Sequence, residues 1–127
     1  LILPEVKNPE LWFGGYLPIW DSQRTAAASL ANITSRMAIN TNLLQPQELT
    51  SYKDLLQTKF KGLIVMNDPT SAGGGLSWFS MSRQLMGVDY IKNLVKQDLM
   101  ITRDLRLMSE WLARGKYVIG IAVDSGV

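Results

Sequence analysis

The residues most able to do chemistry lie in Thr70-Ser71-Ala72-Gly73, just after Asp68-Pro69 and before an apolar segment that includes Leu76, Trp78 and Phe79. Hydroxyls and small residues at a helix start leave backbone amides that have no acceptor within the helix, and the helix dipole adds positive potential there. Such a turn can receive a carboxylate, a phosphonate or another anion. The competing reading is structural: Ser71 caps the helix and the glycines permit the turn. No Gly-Lys-Ser/Thr follows Gly75, so the turn is not a nucleotide-binding P-loop. Asp68 either fixes this turn or touches ligand.

A second candidate pair is Thr102-Arg103, placed where a short apolar strand hands over to a helix. The carboxyl ends of strands are where open α/β sheets bind ligands. Arg103 could clamp an anion with two parallel hydrogen bonds. Alternatively Asp104 caps the helix and Arg103 pairs with it or lies in solvent. Asn32, with Ser29 or Ser35, is a further candidate for ligand contact, against a simple role in a turn. Among the tryptophans, Trp78 and Trp111 fall on apolar helical faces and read as core, whereas Trp12 and Trp20 stay open as ligand wall or packing.

Other chemistries are narrowed by composition. The sequence has no Cys and no His, which removes thiolate and imidazole metal sites and any Ser-His-Asp triad. A hydrolase would have to work through strand-end carboxylates such as Asp68, Asp104 and Asp124. No metal or cofactor is expected. A net charge of +2 with basic residues scattered among acidic ones gives little support for nucleic-acid binding, despite a pI near 9.0. With 46% hydrophobic and 19% charged residues over 127 positions, the chain suits a globular domain with a real core. No apolar run approaches the roughly 18 residues that cross a bilayer.

The elements that must position these groups follow from the punctuation. Leu1 to Gln23 carries three prolines, Gly14-Gly15 and two tryptophans without sustained periodicity, and reads as irregular wrapping. Arg24 to Asn40 suits extended strand broken near Asn32, with helix as the competitor because alanine favours it. Ser51-Tyr52-Lys53-Asp54 has the form of a capping box before a short helix. Leu63 to Met66 reads as a buried strand. Helices are expected from about Gly75 to Met86, around Tyr90 to Val95 and around Leu107 to Leu112, with Gly87 and Gly115 as stops. In the first of these, Leu76, Trp78, Phe79, Met81, Leu85 and Met86 make a broad apolar face. Short strands at Leu99 to Ile101 and Tyr117 to Val123 complete an alternation that calls for an α/β fold with a mostly parallel sheet flanked by helices.

Several of these pieces occur together in a specific order: Ile39-Asn40-Thr41-Asn42-Leu43 with Pro46, Ser51 to Leu56, Phe60-Lys61-Gly62, Val65 to Pro69, Gly73-Gly74-Gly75, and Glu110 to Tyr117 with Ile119-Gly120. Over roughly Leu30 to Ile121 this pattern resembles the extracellular solute-binding proteins of ABC importers, in the branch related to ferric-iron and phosphonate binders. The resemblance implies a type II periplasmic-binding-protein fold, in which two α/β lobes close on a small anionic or metal-linked solute and deliver it to a membrane permease. It implies a periplasmic or extracellular location. Residues 1–36 would then be lead-in and hinge crossing, and residues 37–127 the second lobe of a longer protein. Asp124 to Val127 would approach the return crossing. The paired tyrosines of many ferric binders are not found here. A contrasting expectation is a stand-alone interaction module, pairing as a homodimer through an exposed cleft face.

Overall fold

The structure is a computed structural model that describes Asn8, Glu10 and residues 36–123. The chain divides into two compact units, Leu1–Asn32 and Ile33–Val127. In the first, the Glu10 amide donates to the Asn8 carboxamide at 3.1 Å. The sequence candidates Asn32, Ser29, Ser35, Trp12, Trp20 and Asp124 lie outside the described residues.

The second unit is an α/β domain. Its strands are β1 (Arg36–Ile39), β2 (Ile64–Asn67), β3 (Met100–Thr102) and β4 (Ile119–Val123), and its α-helices are α1 (Gly74–Met86), α2 (Val88–Val95) and α3 (Leu105–Ala113). The sheet order is β1-β4-β2-β3. Strand β2 runs parallel to both β3 and β4, and β1 runs antiparallel to β4. The expected mostly parallel α/β architecture is therefore present. Because β3 and β4 are each reached through a helical crossover, by α1 and α2 on one face and by α3 on the other, helices cover both faces of the sheet.

Alternation along the central strands divides the core. Ile64, Met66, Ile119 and Ile121 pack with Trp78 of α1 and with Tyr90 and Leu94 of α2. Val65 and Val123 pack on the other face with Met108 and Leu112 of α3. Gly120 faces α3 so closely that a Cβ there would lie 2.5 Å from a Leu112 methyl. Asn40, which opens the turn after β1, ties this packing together from outside: its amide donates to the Val118 carbonyl, and its side chain donates to the Leu112 carbonyl at 2.7 Å near the end of α3. That bond satisfies one of the carbonyls a helix end leaves without an internal partner.

Local signals in the sequence resolve into particular structures. The capping box at Ser51 and Asp54 is formed, and the Ser51 amide on its carboxylate lowers the pKa of Asp54. The helix it opens, Tyr52–Leu56, is 3-10 rather than α, as befits its five residues. Two more 3-10 turns, Pro46–Glu48 and Thr58–Phe60, carry the chain to β2. Gly87 and Gly115 do stop α1 and α3, each with positive φ. The apolar face expected on α1 is narrower than its composition suggests: Trp78 is fully buried, but Leu85 is 74% exposed and Leu76 is also exposed. A sheet neighbour lies under only one stripe of the helix, and Leu85 falls outside it.

Candidate functional site

Three parallel strands end side by side at Asn67, Thr102 and Val123, and the loops that follow β2 and β3 meet there. The meeting is built from hydrogen bonds between the loops. The Asp68 amide donates to the Thr102 carbonyl at 2.9 Å, extending the β2–β3 ladder by one residue. The Asn67 side chain reaches both ways: its amide nitrogen donates to the Thr102 carbonyl at 3.4 Å, and its oxygen accepts from the Gly75 amide at 3.1 Å. One carboxamide thus fixes the first turn of α1 to the end of the sheet.

Asp68 is the electrostatic centre. Its Oδ1 accepts from the Thr70 amide at 2.8 Å and from the Thr70 hydroxyl at 2.7 Å, and its Oδ2 accepts from Arg103 Nε at 2.6 Å. The Thr70 hydroxyl bond, the Arg103 bond and the Thr70 amide bond, in that order, favour the ionised carboxylate and pull its pKa down to about 2. Arg103 bridges the two loops, since its Nη2 also reaches the Thr70 hydroxyl at 3.4 Å. Its side chain remains 73% exposed while that of Asp68 is 12% exposed. The guanidinium is held closely at its Nε and more loosely at Nη2, and most of the side chain faces solvent.

The turn itself carries the amides. Gly73, at φ 146°, is the residue before α1 and supplies no side-chain cap. The expectation that Ser71 caps the helix is not met: its hydroxyl donates back to the Asp68 carbonyl at 3.5 Å. The backbone amides of Ala72 and Gly73 make no hydrogen bond among the described residues. Gly75 is required for a different reason, close approach, because a Cβ there would lie 2.4 Å from the Asn67 carbonyl oxygen.

Of the residues singled out in the sequence, Asp68, Thr70, Ser71, Ala72, Gly73, Thr102 and Arg103 are brought together. The expected competitor for Arg103 is corrected: Arg103 pairs with Asp68, thirty-five positions away, and not with Asp104. Asp104 does cap α3, accepting from the Leu107 amide at 2.9 Å. Thr102 contributes its backbone carbonyl to Asn67 and Asp68 and accepts the Asp104 amide on its hydroxyl at 3.1 Å. Sequence reasoning missed Asn67 as an organiser. Its signal was available, because an asparagine ending an apolar strand before Asp-Pro has a side chain suited to bridging backbone groups.

Chemically, this corner offers donors and no free acid or base. Asp68 stays ionised through the neutral range and is occupied on both oxygens, and Asp104 is engaged as a cap. No cluster of three or more potential metal-ligating side chains occurs among the described residues. A shallow depression on α1 lined by Phe79, Ser80, Arg83 and Gln84 shares none of these groups.

No known protein family matches the sequence, and no curated protein does. Ten solved chains are similar in structure. One is described as a two-component system protein that mediates signal transduction, with a TM-score of 0.58 and 22% identity over 69% of this chain. The chain spans about 30% of the length of that protein. At this identity the likeness concerns the fold alone.

Proposed function

We propose that this chain contributes one α/β lobe of a solute-binding component of an ABC import system, which takes a small anionic or metal-linked solute and hands it to a membrane permease. The observation that carries the reading is the position of the two strands through which the chain enters and leaves the domain. Arg36, the first residue of β1, is the register partner of Val123, the last residue of β4. Both connections therefore open at the same end of the sheet as the Asp68–Gly75 turn and Arg103. A lobe joined to a second body by two crossing segments would then present this corner to that body. The donors there suit an anion: the amides of Ala72 and Gly73 in the turn that precedes α1, and an exposed guanidinium.

The location that goes with this role is periplasmic or extracellular. Binding without catalysis is the simpler role for these groups, because Asp68 and Asp104 are already committed to the turn and to the cap of α3. Fold likeness to part of a two-component signalling protein keeps a second reading beside the first, in which the same lobe binds solute in order to report it. A lone copy pairing with itself through this corner is a third, and light scattering at high concentration distinguishes it.

The site is tested by titrating an isotope-labelled chain with inorganic phosphate and with methylphosphonate while following backbone amide resonances. Shifts centred on Ser71 to Gly74, diminished by Arg103→Gln, are the expected result. Shifts confined to other surfaces, or none in either titration, would overturn the assignment.

A further inference from the structure

The pairing of β1 with β4 contains an irregularity close to this corner. Met37 pairs with Ile121 and Arg36 with Val123, so Ala122 has no partner and forms a bulge. Ala122 has φ of 59°, in the left-handed region, although it is not glycine. Bulges of this kind normally place glycine there, because a Cβ in the left-handed region costs roughly 1–2 kcal/mol. It is also buried, so the strain is held by its surroundings.

The consequence is a change of side. Ile119 and Ile121 face α1 and α2, and Gly120 faces α3, so uninterrupted alternation would turn Ala122 toward α3 and Val123 toward α1. The bulge reverses this. Ala122 packs with the Trp78 cluster, and Val123 packs with Met108 and Leu112. Ala122 thereby comes beneath the first residue of α1, where a Cβ on Gly74 would stand 3.4 Å from the Ala122 methyl.

We infer that Ala122 is a positioning residue: the bulge turns its methyl under Gly74, and that contact seats the helix start whose amides form the anion-binding turn. As a link to ligand this rests on the function proposed above, but the seat itself does not. The strand that carries it also pairs with β1, so the seat joins that edge of the sheet to the turn. A glycine would fit the backbone better and would remove the seat. Alanine therefore trades local stability for placement of the turn.

The test is amide hydrogen exchange on the whole chain carrying Ala122→Gly. Exchange at Gly75 and Ser77, whose amides are held by the Asn67 side-chain oxygen and by the Gly73 carbonyl at the start of α1, should accelerate roughly fivefold or more, while amides of β2 and α3 keep their protection or gain some. Gly74→Ala added to Ala122→Gly returns a methyl to the same gap and should restore most of the protection. Unchanged exchange at the turn, or a uniform acceleration across the domain, overturns the inference. If Ala122→Gly does not fold, release of strain is disproved and the inference falls with it. Phosphate titration of the same variants keeps the two proposals apart. Weaker phosphate binding by Ala122→Gly is expected alongside the faster exchange. Faster exchange in a chain whose wild type ignores phosphate would sink the function and leave the seat standing.

Discussion

Replacing Gly75 by alanine should damage the domain, although the residue is in a helix where alanine is ordinarily preferred. The Cβ would sit 2.4 Å from the Asn67 carbonyl oxygen and 2.6 Å from that of Asp68, and both are backbone atoms with no rotamer to escape into. Restoring ordinary contact requires α1 to back away by about 1 Å, and forced packing of this sort costs about 1–3 kcal/mol. The same displacement stretches the 3.1 Å bond from the Gly75 amide to Asn67, worth about 1 kcal/mol. Higher helix propensity returns less than about 1 kcal/mol. The net loss is about 2 kcal/mol, which for a unit of this size lowers Tm by roughly 8–16 °C. Thermal and urea unfolding of the two proteins measure it, with the urea slope unchanged. The neighbouring Gly74→Ala is the control, since its nearest contact is 3.4 Å, and it should leave stability the same or slightly higher. If Gly75→Ala melts within about 2 °C of the wild type, the close docking of α1 onto the end of β2 is wrong.

Three further outcomes follow from the same geometry. Asp68 has its pKa lowered in the folded state to about 2, so it stabilises the fold fully above its unfolded value near 4 and loses that contribution as pH falls between the two. Asp68→Asn should flatten that part of the stability–pH curve, and an unchanged acid limb would show that the carboxylate is not held by Thr70 and Arg103. Arg103→Gln removes an exposed group with one ion-pair partner, so it should weaken phosphate binding severalfold while shifting the unfolding midpoint little; a large loss of stability would make Arg103 a structural strut instead. Ser82 is fully buried in α1 with its hydroxyl unpartnered among the described residues. Ser82→Ala should stabilise by about 1 kcal/mol in urea unfolding, through relief of an unmet hydrogen bond and better helix propensity, whereas a loss of that size would reveal a buried water on the hydroxyl.

Strands and helices with strong boundaries were legible in the sequence because their signals are local. Gly87 and Gly115 mark real stops, Ser51 and Asp54 make a real capping box, and Val118 to Val123 is continuously buried. What local pattern hid was which groups meet across the sheet. Arg103 sits next to Asp104 in sequence, and only the β2–β3 register carries it to Asp68 instead. Similarly, Leu76 and Leu85 look like core because the pattern counts apolar residues without knowing where the sheet lies. The bulge at Ala122 had no compositional sign at all, since alanine stands where glycine would have announced it. The turn from Asp68 to Gly75 was recognisable as a helix start, but not the separate duties of its three glycines.

The side-by-side placement of Arg36 and Val123 has a consequence for how this domain can be handled. Paired antiparallel residues bring their Cα atoms within about 5.5 Å, a gap that a two-residue hairpin turn spans. Residues 36–123 can therefore be spliced as a cassette, inserted into a surface loop of an unrelated host or joined end to end and reopened elsewhere, without stretching the sheet. A graft of this kind would carry the corner at Asp68 and Arg103 along with it, always facing the seam.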